Sequence, residues 1–146
     1  MLTSRNQYGG TYRYLKRVAE ATTSVEVDFL DMSSISSSDL LDSLTPQTKL
    51  IWLESPTNPL LVLPPLELIS SALRTIPEEH RPLVVVDNTF LSPYWSNPLE
   101  LGADVVLHSL SKYLNGHSDV IMGALVVRKG LEGKLAKGLR FLQNSS

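Results

Sequence analysis

Apolar and polar positions follow two alternating rhythms along the chain. Residues 11–22, TYRYLKRVAEAT, set Tyr12, Leu15, Val18 and Ala19 at the spacing of an amphipathic helix. Residues 24–31, SVEVDFLD, then alternate strictly, with Val25, Val27 and Phe29 on one face. That predicts a strand with one buried side, near a sheet edge. In SSISSSDLLDSL the serines precede an apolar pair and offer N-caps before Asp39, so a short helix is predicted over 37–43, stopped by Thr45-Pro46. KLIWLES is a compact apolar run ending in the proline-rich turn PTNP.

Further on, residues 64–76 read as a helix with proline at its start and Leu66, Ile69, Leu73 and Ile76 on its inner face. PLVVVDNTF is a continuous β-branched run, the pattern of a strand buried on both faces of a parallel sheet, and ADVVLHS is a second. GALVVRK predicts a further strand, and LEGKLAKGLRFLQNS a C-terminal helix weakened by Gly133 and Gly138. Strand, helix, strand in succession predicts an α/β layered sheet, at least partly parallel, without internal repeat or domain boundary. Ligands of such sheets settle outside the carboxyl ends of the strands, so the residues after each strand are the ones to inspect.

Composition narrows the class. The chain has 146 residues, 42% of them hydrophobic and 19% charged, enough for one packed domain or part of one. A net charge of −2 supplies no basic field for nucleic acid. The absence of cysteine removes disulfides and cysteine-ligated metal, and it fits a reducing cytoplasm. No apolar run approaches the roughly 20 residues of a membrane span. MLTSRNQYGG lacks the apolar core of a secretory signal, so a cytoplasmic chain is expected.

Three strand ends carry polar clusters: Glu54-Ser55-Pro56-Thr57-Asn58, Asp87-Asn88-Thr89 and Ser109-Leu110-Ser111-Lys112. An acid straight after VVV costs free energy unless a positive or hydrogen-bonding group meets it. Alone, Asp87 reads equally well as a carboxylate capping a turn, and Lys112 as a solvated lysine. The two common nucleotide-phosphate fingerprints, GxGxxG and GxxxxGK[ST], are absent, as is the GxSxG serine elbow. His80, His108 and His117 are not at metal-ligand spacing, so no metal is expected. An acid at one strand end and a lysine 25 residues later at the next suit a pyridoxal phosphate site. There the lysine forms a Schiff base and the acid keeps the pyridine nitrogen protonated.

The segments YGGTYR, ESPTNP, VVDNTFLSPYWSNPLELGAD and HSLSKYLNGHSDVIMGA, in that order, resemble the trans-sulfuration (Cys/Met metabolism) family of pyridoxal phosphate enzymes. YLNGHSDVIMGA and LRFLQNS carry the likeness toward its gamma-lyase branch. The resemblance implies a three-layer α/β sandwich, the fold type I large domain. It also implies carbon–sulfur lyase chemistry that cleaves L-cystathionine to cysteine, 2-oxobutanoate and ammonia. Beta-lyase, gamma-synthase and methionine gamma-lyase relatives share these motifs. A non-catalytic piece that associates with full-length subunits is the alternative from another class.

By that resemblance, Lys112 binds the cofactor covalently and moves the Cα and Cβ protons, and Asp87 pairs with the pyridine nitrogen. Ser109 and Ser111 bind the phosphate, Ser111 standing where threonine is usual. Tyr8 stacks on the ring and assists proton movement, Asn58 lies near the phenolic oxygen, and Glu54 lies on the substrate side. His117 and Asp119 are expected to hold the loop after Lys112. The ESPTNP loop should be tight and able to carry a cis bond. The family's phosphate-cradling loop is expected upstream of this chain, and its small domain, with the arginine for the substrate carboxylate, downstream. The resemblance also implies a homotetrameric full-length parent. The 146 residues are therefore expected to be a partial cofactor domain, weak or inactive alone.

Overall fold

The computed structural model describes residues 1–144. Its strands are β1 (Leu2–Ser4), β2 (Asp28–Leu30), β3 (Leu50–Glu54), β4 (Leu83–Asp87), β5 (Val105–Ser109) and β6 (Gly123–Val127). They form one sheet in the order β2-β1-β3-β4-β5-β6. Neighbours from β2 to β5 pair in parallel, and β6 runs antiparallel to β5. The helices are α1 (Gly9–Tyr14), α2 (Glu20–Thr23), α3 (Ser37–Asp42), α4 (Leu66–Leu73), α5 (Ser92–Trp95) and α6 (Lys137–Asn144). A wider π turn at Leu15–Ala19 joins α1 to α2, and another at Glu132–Ala136 leads into α6.

Strand alternation assigns the two faces. Ile51, Leu53, Val84, Val86 and Val106 point to one side, where they pack with Leu40 of α3 and Ile69 and Leu73 of α4. Each such apolar side chain contributes about 1.5–3 kcal/mol on burial. The intervening residues Trp52, Glu54, Val85, Asp87 and Leu107 point to the other side. There the run from α1 to α2 lies, anchored by Leu15 and Ala19 against Val27. Helices on both faces of a mostly parallel sheet make the expected three-layer α/β arrangement.

At the amino end of β5, Asp104 is wholly buried. It accepts hydrogen bonds from Arg81 at 3.0 and 2.8 Å, from the Val84 amide at 2.9 Å and from Arg128 Nε at 3.2 Å. A buried carboxylate met by so many donors is satisfied, and it ties β4, β5 and the end of β6 together.

Several boundaries differ from the sequence prediction. Leu2–Ser4 is an inner strand, with all three residues buried between β2 and β3, yet three residues are too few to display a period. The alternating run at 24–31 yields only Asp28–Leu30, because its partner β1 offers just three pairing residues. That strand does lie at the sheet edge. Val25 is exposed rather than sharing a face with Val27, because Ser24 turns left-handed to end α2. In the first helix Tyr12 and Val18 stay exposed while Leu15 and Ala19 are buried. The predicted 64–76 helix contracts to Leu66–Leu73, with Pro65 as its cap. α3 follows its prediction, Ser36 accepting from the Asp39 amide at 3.1 Å. α5 was not predicted, and the last residue of the predicted C-terminal helix, Ser145, lies outside the described residues. Among the described residues, no helix is long and apolar enough to cross a membrane.

Connectivity places the crevice. From β1 the chain crosses to β2 on one side, whereas from β3 it proceeds to β4 on the other. The strand order reverses between β1 and β3, and ligands of open α/β sheets bind outside the carboxyl ends at such a point.

Candidate cofactor site at the carboxyl ends of the strands

Residues from both sides of the switch point meet. Glu54 ends β3 and is 6% exposed. Its Oε2 accepts a 2.6 Å hydrogen bond from the backbone amide of Tyr8, which follows β1 and opens α1. The Asn58 amide, in the loop after β3, also favours the charged form of Glu54. In the strand register Glu54 lies beside Asp87. Burial pushes the Glu54 carboxyl up to about 7. The Tyr8 amide opposes that shift, the Asp87 carboxylate adds to it, and the Asn58 amide opposes it again.

Asp87 is anchored on its other side by the loop that follows it. Its Oδ1 accepts from the Thr89 amide at 3.0 Å and from the Thr89 hydroxyl at 2.6 Å. The same hydroxyl oxygen accepts from the Ser109 amide at 2.9 Å, so β4 and β5 are joined at their carboxyl ends. Sequence pattern alone assigns no role to Thr89. The Asp-x-Thr spacing of a side-chain-to-backbone turn is the signal that could have found it.

Asp87 and Tyr8 line a cavity of about 310 Å³ with Gly10, Thr11, Tyr14, Leu15, Trp52 and Leu107. The indole Nε1 of Trp52 is buried and has no hydrogen-bond partner. Gly10 makes room for the Tyr8 ring, because a Cβ there would collide with the ring's Cε1. Tyr8 itself is 56% exposed and is not the core tyrosine that its position at a helix start could suggest.

The loop after β5 holds the lysine. A π turn spans Leu110–Leu114, and Lys112 inside it departs from helical geometry at φ −100 and ψ −124. Lys112 is exposed and does not line the cavity, although it leaves the sheet at the same end. The Ser111 hydroxyl accepts from the Met122 amide at 3.0 Å, fastening this loop to the start of β6. Asn115 donates to Asp119 at 2.6 Å and its carbonyl oxygen lies 2.6 Å from His117 Nδ1. His117 and Asp119 thus hold the loop, as expected. Both Ser55-Pro56 and Asn58-Pro59 are cis, which accounts for the tight turn after β3.

His108 is buried with Nδ1 unpartnered, and burial pulls its basicity down against the opposing Asp87 charge and Asn88 contact. Among the described residues, no group of three or more His, Cys, Asp or Glu could hold a metal ion. The chemistry of the donor set fits pyridoxal phosphate instead. It comprises an anchored carboxylate and an aromatic ring on one cavity, a primary amine on the adjoining loop, and hydroxyls at the end of β5. The Glu54 carboxylate is enclosed and bound to the Tyr8 amide.

Comparison with known proteins gives the family. The sequence model described as Cys/Met metabolism PLP-dependent enzyme matches residues 1–146. Cystathionine gamma-lyase of Dictyostelium discoideum is 45% identical over 138 residues, covering 94% of this chain and 33% of its own length. The probable cystathionine gamma-synthase of Herpetosiphon aurantiacus is 45% identical over 139 residues, covering 95% of this chain and 40% of its own. Among solved structures, cystathionine gamma-lyase from Lactobacillus plantarum complexed with L-serine superposes with a TM-score of 0.86 at 38% identity. That superposition covers 99% of this chain and 35% of the solved one. The chain spans about a third of the length of the curated relatives it matches.

Proposed function

Because the chain belongs to the Cys/Met metabolism PLP-dependent enzyme family, we propose that it is the cofactor-binding part of a carbon–sulfur lyase acting on L-cystathionine. With one water consumed, the products of the full-length parent are cysteine, 2-oxobutanoate and ammonia. When bound, pyridoxal phosphate supplies a ring that accepts electrons as the substrate loses its Cα proton. Asp87, held by Thr89, keeps a proton on the ring nitrogen. Lys112 would hold the cofactor through its amine and would move the substrate protons at Cα and Cβ that carbon–sulfur cleavage requires. Ser109 and Ser111 donate to the phosphate. Tyr8 covers the ring face and assists proton movement, Asn58 meets the phenolic oxygen, and Glu54 borders the substrate side through the Tyr8 segment it holds.

The observation that carries this reading is Asp87, anchored at the end of β4 and facing a cavity walled by Tyr8, with the lysine loop leaving the adjacent strand. We propose further that the parent is a cytoplasmic homotetramer. The 146 residues would correspond to part of its large domain, about a third of the length of such relatives. The gamma-synthase relative supports a second reading, condensation rather than cleavage at the same substrate carbon. Assay of the full-length parent for cystathionine consumption against cystathionine formation separates the two.

The decisive test is absorbance after adding pyridoxal phosphate to the purified chain. A band near the edge of the visible range is expected in the wild type and in Lys49→Ala, at the far end of β3. It should vanish in Lys112→Ala. Identical spectra for wild type and Lys112→Ala would overturn the assignment.

A further inference from the structure

The Glu54 carboxylate is engaged by the chain itself, through the backbone amide of Tyr8 on the other side of the switch point. Tyr8 lies 46 positions before Glu54 and is bound at 2.6 Å, a length typical of a strong charge-assisted hydrogen bond. Asn58 lies in the loop that follows β3. Glu54 is 6% exposed, and its strand neighbour in register is Asp87.

We propose that Glu54 is a positioning residue: its carboxylate holds the Tyr8 and Asn58 segments together and so sets the aromatic wall of the cavity against Asp87. The inference rests on the reading of this cavity as the cofactor site, but the clamp itself exists without cofactor. No catalytic contact is required of Glu54. It acts through where it puts Tyr8, whose own side chain is exposed and whose ring occupies the space a Cβ at Gly10 would need.

A carboxylate clamp has a charge state, and this one sits where that state changes. Ionised, Glu54 accepts strongly from both amides; protonated, it loses one charge-assisted acceptor. The ionisable groups around it are Asp87 on β4 and the phenol of Tyr8 at the start of α1. His108 on β5 shares the parity of Val106 and turns to the opposite face, so it feels Asp87 more than Glu54. With burial and Asp87 both acting against the charge, the midpoint lies at about 7. The clamp is therefore tight above neutral pH and loosened below it.

The test follows backbone amide resonances of Tyr8 and Asn58 in the ligand-free chain as pH is raised. Both are expected to shift with one midpoint near 7 in the wild type. Glu54→Gln, which keeps an acceptor of the same size, should abolish both titrations. Asp87→Asn should move the midpoint down while leaving the titration in place, which guards against a Glu54 variant that fails to fold. Pyridoxal phosphate affinity gives the second readout. The ratio of wild-type to Glu54→Gln affinity should rise about 10-fold between pH ~6 and ~8, the worth of one charge-assisted hydrogen bond. Taking the ratio cancels pH effects common to the two proteins. Amides that do not titrate, or that titrate equally in Glu54→Gln, would overturn the clamp even if the cofactor binds. Amides that titrate in a chain that never binds the cofactor would sustain the clamp and sink the cofactor reading instead.

Discussion

Glu54 shows how one side chain can be kept against its own stability. Its folded value of about 7 lies above its ordinary 4.5, with burial as the largest cause. Between those values the folded chain holds a proton that the unfolded chain has released. The contribution is therefore fully present below about pH 4.5 and is lost as pH rises to about 7, after which the slope vanishes. Glu54→Gln cannot ionise, so it should be more stable than wild type at pH ~8, by about 1–3 kcal/mol, and should match it near pH ~4.5. Urea denaturation of the two proteins at both pH values checks the sign. Strained titratable groups of this kind concentrate at functional sites, where a stabilising substitution tends to cost function. Asp87 is the contrasting case, because Thr89 satisfies it and carries the restraint on to Ser109.

At the scale of elements, close approach sets which residues are tolerated. Gly102 leads into β5 at φ +100, and a Cβ there would lie 2.5 Å from the Ser70 Cβ of α4. Ser70 is itself fixed, its hydroxyl donating to the Leu101 carbonyl at 2.7 Å. Gly102→Ala should therefore destabilise the chain by about 2–4 kcal/mol, combining left-handed strain with overpacking. Gly130 has a similar φ of +97, but a Cβ added there would meet no atom within 4 Å, so Gly130→Ala should cost less. Thermal unfolding of the two variants isolates the close approach from the backbone effect. The same joint explains why the strand following LELGAD begins where it does: Asp104 is pinned by Arg81 and Arg128 before the apolar run starts.

For the whole molecule, the far edge of the sheet stands out. β6 has one hydrogen-bonded neighbour, and its Leu125 and Val126 are 47% and 43% exposed on opposite faces. Ile121 and Met122, just before it, are exposed as well. An uncovered apolar edge of this kind invites strand pairing and association. The purified chain should therefore associate in a concentration-dependent way, and Val126→Lys should shift it toward monomer in light scattering at unchanged far-ultraviolet dichroism. A monomeric wild type at high concentration would refute that expectation.

Much of this architecture was legible in the chain itself. The β-branched runs VVV and VVL announced buried parallel strands, and ESPTNP, VVDNT and HSLSK placed polar groups at their carboxyl ends, because periodicity and local turn chemistry are properties of neighbours in sequence. The family likeness lay in the same segments. Tertiary structure alone decided what depends on distant partners. Leu2–Ser4 became an inner strand because β2 and β3 flank it, a fact that three residues cannot encode by pattern. Likewise the hold of Glu54 on Tyr8 was invisible in the sequence, since burial and a bond across 46 positions exist only once the sheet has brought β1 beside β3.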